Sequence, residues 1–164
     1  MTTRGVLQQR AERAMNPDET AALMERAAEM RLGAVDRDGW PYVIPLSFVY
    51  EDMKVFFHHT AKESHLTSCL ENDPRVCVEV DEVGPVVVGG ESACDASRIY
   101  ASVVAFGRSR IVTDLTTKQR FFDGLVAKHS SPGLEISRSY PRIESVLVFE
   151  IDIEVMTGKR RGQS

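Results

Sequence analysis

The stretch FFHHTAKESHL, Phe56 to Leu66, holds three of the chain's four histidines, His58, His59 and His65, together with Thr60, Lys62 and Ser64. Imidazole, ammonium and hydroxyl groups gathered this densely suit metal ligation, proton transfer or anion binding. A metal shared by the adjacent pair is disfavoured, because successive side chains of a strand point to opposite faces and His58 and His59 would diverge. His59 and His65 could meet across a turn, but no acidic or cysteine ligand stands at a recognisable spacing beside them. Taken singly, His58 reads as a half-exposed strand residue and His65 as an ordinary helix residue. Taken together, the set lies between a strand end and a helix start, where free backbone N–H groups and the positive helix end favour an anion such as phosphate. Neither GxxxxGK[ST] nor GxGxxG occurs, and Gly84, Gly89 and Gly90 are too loosely spaced to replace them, so a P-loop or Rossmann crossover is not expected to supply that site.

The elements around this stretch follow from local pattern. Asn16, Pro17 and Glu19 form an N-cap, a first-turn proline and a capping-box glutamate, predicting a helix from about Pro17 to Met30 with Leu23, Ala27 and Met30 inward. LGAV, WPYVIPLSFVY and MKVFFHH read as strands joined at Asp38-Gly39 and Glu51-Asp52. Pro41 and Pro45 give no ladder donor and so predict an edge or bulge in the second run. A short helix spans Ser64 to Leu70, RVCVEV forms a fourth strand, and residues 81–97, rich in glycine, read as a long loop. Tyr100 to Asp114 is a strand bent at Gly107, Thr116 to Lys128 an amphipathic helix, and Ser145 to Met156 the last strand. This order favours a small antiparallel barrel with marginal helices.

With 164 residues the chain is most simply one domain, and its net charge of −4 argues against a broad nucleic-acid footprint. Three cysteines without CxxC spacing fit reduced thiols better than a disulfide framework or a zinc site. The polar first residues do not read as a signal peptide, and no run approaches the length of a membrane span, so a cytoplasmic protein with no membrane or nucleic-acid partner is expected.

The segments RAERA, LGAVDRDGWPYVIPLSFVY, FFHHTAKESHL, NDPRVCVEVDE, GESACDASRIYASVVAFGRSRIV and IDIEVMTGKRRG occur in this order over nearly the whole chain. Their order and spacing resemble the pyridoxamine 5′-phosphate oxidase-like FMN-binding split barrels, and within them the group that includes the nitroimidazole-resistance proteins. The resemblance implies a mainly β (α+β) fold, a six-stranded antiparallel split β-barrel with flanking helices. It divides the chain into an N-terminal arm, residues 1–15, and one FMN-binding domain, residues 16–164. It implies that Thr60, Ala61, Lys62, Ser64 and His65 hold the FMN phosphate, with His59 close to the flavin as the catalytic candidate. The family arginine falls at His65, a weaker and pH-dependent cation, and the family lysine at Leu66, which is no cation, so Lys62 or a partner subunit is expected to compensate. Main chain at Pro45, Leu46, Ser47 and Phe48 would meet the isoalloxazine, and Gly158 and Lys159 would lie on its flavin-side terminus.

The function implied is an FMN-dependent oxidoreductase passing electrons or hydride to a small organic acceptor, a nitroaromatic among them, as a homodimer with the cofactor at the subunit interface. Two alternatives remain open: a non-catalytic flavin or haem redox carrier, with His58 or His129 as an axial ligand, and an F420-dependent reductase of the same fold.

Overall fold

A computed structural model describes residues 11–59, 63–134 and 136–162. Helix α1 (Pro17–Arg26) starts as its sequence dictates: Glu19 N–H donates to Asn16 Oδ1 at 2.8 Å and Asn16 N–H to Glu19 Oε2 at 3.0 Å. It ends four residues earlier than the apolar spacing suggests. Ala27 caps it, and Met30 belongs to strand β1 (Glu29–Val35), where it faces Leu46 across the ladder and is wholly buried. A buried residue at that spacing satisfies a helical stripe and a strand face equally well.

β1 turns at Asp36–Trp40 into β2 (Pro41–Glu51). Asp36 Oδ1 accepts from the N–H groups of Asp38 and Trp40, and Gly39 takes φ +86°, which its lack of a Cβ permits. A second tight turn, with positive φ at Asp52 and Met53, leads into β3 (Lys54–His59). Then come α2 (His65–Asn72), β4 (Arg75–Val88), β5 (Ala96–Val112), α3 (Leu115–His129) and β6 (Leu147–Arg161). The six strands are antiparallel and close a barrel in the order β1-β2-β3-β6-β5-β4.

Residues 81–97 are not one long loop: only residues 89–95, with a single 3-10 turn at Ala93–Asp95, connect the two strands. β4 and β5 pair continuously to Val88↔Ala96, with a register shift between Val83 and Val86 that absorbs Gly84 and Pro85. Pro and Gly here mark a bulge, the other reading of such residues inside a strand. The basic segment near the C-terminus likewise extends β6 as far as Arg161. Gly107 marks the predicted bend in β5: the β5–β6 register slips between Phe106 and Gly107, and a Cβ there would lie 2.3 Å from the Asp152 carbonyl oxygen.

Alternation sends Met30, Leu32, Phe48, Val55, Phe57, Val78, Val103 and Ile151 inward, with Leu23 and Met24 of α1 and Leu66 of α2 closing the same core. Phe56, Val112 and Val148 point outward, and Phe121 of α3 covers them. Thus α3 packs outside β2 and β3. Among the described residues no helix is long and apolar enough to cross a membrane.

Candidate functional site

The barrel has a fork. β2 pairs with β1 from Pro41 to Ser47, but with β3 only from Phe48 to Glu51. β3 continues along β6 through His58↔Val148 and His59↔Leu147. Beyond Phe48 and Phe57, therefore, β2 and β3 part, and among the described residues the β3-facing side of Pro41–Ser47 carries no ladder. Pro41 and Pro45 fall in this half, as the missing donors require.

One lip of the opening is Pro45, exposed, with Leu46 and Ser47 half-buried. At its root the Phe48 side chain is wholly buried, and the Phe48 carbonyl accepts from Lys128 Nζ at 3.1 Å, so that oxygen is already engaged. The other lip is the end of β3. His59 is half-buried there, while His58 turns to the outer face, its ring 5.8 Å and 5.6 Å from those of Phe121 and Phe122. Burial, and secondarily the neighbouring His59, lowers the His58 pKa, and its Nδ1 has no hydrogen-bond partner. The two adjacent histidines do diverge, and among the described residues no group of three or more His, Cys, Asp or Glu gathers around a metal position.

Thr60, Ala61 and Lys62 lie outside the described residues. Ser64 is the N-cap of α2: its Oγ accepts from Thr67 N–H at 3.0 Å and lies 2.9 Å from Thr67 Oγ1. Its oxygen is committed to the helix start, a role the sequence pattern did not single out. His65 opens α2, exposed, with the Tyr42 ring edge-on at 4.7 Å and Asp36 Oδ2 3.9 Å from its Nε2. That contact ties the first residues of the free β2 half to the start of α2.

Gly158 and Lys159 are not brought there. They pair with Val103 and Ser102 eleven residues along β6 from Leu147, and Gly158 O accepts from Met15 N–H at 3.0 Å while Lys159 bridges Ala14. A Cβ at Gly158 would sit 2.5 Å from Thr20 Oγ1, so this glycine lets the chain before α1 lie against the barrel. Sequence reasoning missed three residues. Asp36 and Tyr42 meet His65, and Asp36 had a signal in the DRDG turn; Lys128 looked like an ordinary basic residue of a last helical turn.

Several solved structures share this architecture. A candidate 5-nitroimidazole antibiotic resistance protein from Bacteroides thetaiotaomicron superposes with TM-score 0.74 at 22% identity, over 90% of this chain and 86% of that one. The flavocytochrome Anf3 from Azotobacter vinelandii gives 0.78 at 22% identity, over 99% and 75%. An FAD-binding protein from Mesorhizobium loti gives 0.68 at 24% identity, over 92% and 98%. At these identities the likeness carries the fold, one in which flavin-binding proteins are found. No curated protein sequence matches the chain. The sequence profile of the pyridoxamine 5′-phosphate oxidase family matches residues 16–160, nearly the full length, and the chain belongs to that family.

Proposed function

We propose that this protein is an FMN-dependent oxidoreductase acting on a small organic acceptor, nitroaromatics included. The observation that supports this reading best is the fork. It leaves the β3-facing backbone groups of the Pro41–Ser47 half, alternate residues of the strand, without a ladder partner among the described residues, and the Tyr42–His65 contact joins that half to the α2 N-terminus. Flavin edges need both donors and acceptors, and a terminal phosphate suits free helix N–H groups beside an imidazole. The residues present therefore fit the group. Bound flavin would supply the electron chemistry. The β2 main chain would orient the ring, while the α2 start with His65, Lys62 and the Thr60–Ala61 segment would hold the phosphate. His59, at the lip, would stand beside the acceptor and hold a proton for it. Gly158 and Lys159 lie away from this cleft in their own chain, so a second copy would have to bring them to it; we infer a homodimer with the cofactor at the interface, in the cytoplasm.

A second reading has its own support. His58 Nδ1 and His129 Nε2 are buried without hydrogen-bond partners, a condition that suits an axial haem ligand and a redox carrier. The absorption spectrum of the purified protein and the mass of its released cofactor decide. Blue flavin bands with the mass of FMN support the first reading, a Soret peak the second, and a protein that takes up neither contradicts both.

A further inference from the structure

Lys128, in the last turn of α3, has no part in the reading above, yet its ammonium sits at the root of the fork. Nζ lies 3.1 Å from the Phe48 carbonyl oxygen and 3.8 Å above the centre of the Phe48 ring. α3 packs on the outer face, with Gly124 against Val49, whereas the Phe48 ring belongs to the inner core. The ammonium thus meets Phe48, the last β2 residue still paired with β3 before the two strands part.

On β3 Lys54 pairs with the carboxylates of Glu150 and Asp152, while Lys118 of α3 donates to the carbonyls of Ile143, Glu144 and Val146. Among the described residues Lys128 has no carboxylate partner. Its contacts are one carbonyl oxygen and one aromatic face, and burial alone pushes its pKa down to about 8. Holding a half-buried cation without a counter-ion is unfavourable, and an anion arriving beside it would relieve that cost.

We propose that Lys128 is the electrostatic partner of a flavin ring seated along Pro45–Phe48, favouring the reduced, negatively charged ring over the oxidised, neutral one. This rests on the flavin reading above. The ammonium meets the segment assigned to the ring and not the start of α2, so the charge it answers is the ring's. Two electrons and one proton added to the neutral ring leave one negative charge. Lys128 keeps its own proton throughout and only balances that charge, which low-polarity surroundings make more effective.

The test is a dithionite titration of FMN-loaded parent, Lys128→Met and Lys128→Arg against a reference dye. The methionine variant is expected to bind oxidised FMN about as well as the parent and to lose at least tenfold of the preference for reduced FMN. Its midpoint then falls by about 30 mV for a two-electron couple. The arginine variant, which keeps the charge, should stay near the parent's midpoint. If Lys128→Met is too unstable to load, Lys128→Gln takes its place under the same criterion. An unchanged midpoint in a loaded, uncharged variant overturns the proposal and leaves the flavin reading standing, as does an equal fall in the arginine variant. A parent that takes up no flavin overturns both.

Discussion

The Tyr42 ring meets the His65 imidazole edge-on, centroids 4.7 Å apart and planes at 85°, and so joins the free half of β2 to the first turn of α2. His65 is exposed, so the contact contributes little to stability, about 0.5 kcal/mol at the low end for such pairs. His65→Ala should leave the fold intact and weaken FMN binding about tenfold, the weight of a lost charge-assisted hydrogen bond of about 1.5 kcal/mol. Riboflavin binding should not change, and His65→Arg should tighten FMN. Fluorescence titration of the three proteins measures this; equal FMN affinity in His65→Ala would move the phosphate elsewhere.

Gly107→Ala should destabilise the barrel by about 1–3 kcal/mol, the usual cost of forcing atoms into a packed site. The added Cβ meets the Asp152 backbone oxygen at 2.3 Å and Ile151 Cγ2 at 2.9 Å, and a ladder strand has little freedom to retreat. Urea denaturation reads the loss directly, and a neutral result would mean that the β5–β6 bulge can relax.

Asp73 caps α2 and binds Arg75 through both its carboxylate oxygens. The Arg75 guanidinium, then the Arg75 N–H, holds its pKa at about 2, below the ordinary 3.8. A folded pKa lowered in this way gives stability that is present above about pH 3.8 and lost as pH falls towards 2. Arg75 is exposed, so solvent screens the pair and the amount is small. Asp73→Asn should therefore match the parent's stability near pH 2 and fall short of it at neutrality, as thermal melts across that range would show.

Lys128 has the opposite sign. Its folded pKa of about 8 lies below the unfolded 10.5, so the folded chain holds this proton less tightly. The apoprotein should gain stability from this group as pH rises from about 8 to 10.5. Lys128→Met should lack that gain, and its stability relative to the parent should be greatest below pH 8. Parallel pH profiles for the two proteins would contradict the depressed value.

Local grammar was legible in the sequence wherever one residue type has one physical meaning. The Asn16–Glu19 capping box, the Asp38-Gly39 turn and the Gly107 bend each stand where read. Met30 was ambiguous because a buried residue there fits a helical stripe and a strand face alike, and only its pairing with Leu46 decides. The strands beyond Val80 and Met156 were hidden because Gly84 and Pro85 signal a loop and a bulge alike, and because β5 supplies the pairing for both. At the site, the neighbouring residues of FFHHTAKESHL could be read as a group: His59 ends β3 and His65 opens α2. Lys128 could not be found in this way: it reaches Phe48 across eighty residues, a contact that exists only once α3 has packed on the barrel.

The proposed flavin is held by its phosphate at the start of α2 and by its ring along β2. Titrating the apoprotein with FMN and with riboflavin side by side tests it most directly, since the two ligands differ only in that phosphate. Saturable binding of both is expected, with FMN tighter by about tenfold or more, the contribution of charge-assisted hydrogen bonds to the phosphate. Equal affinity for the two ligands would contradict it, and so would binding of neither.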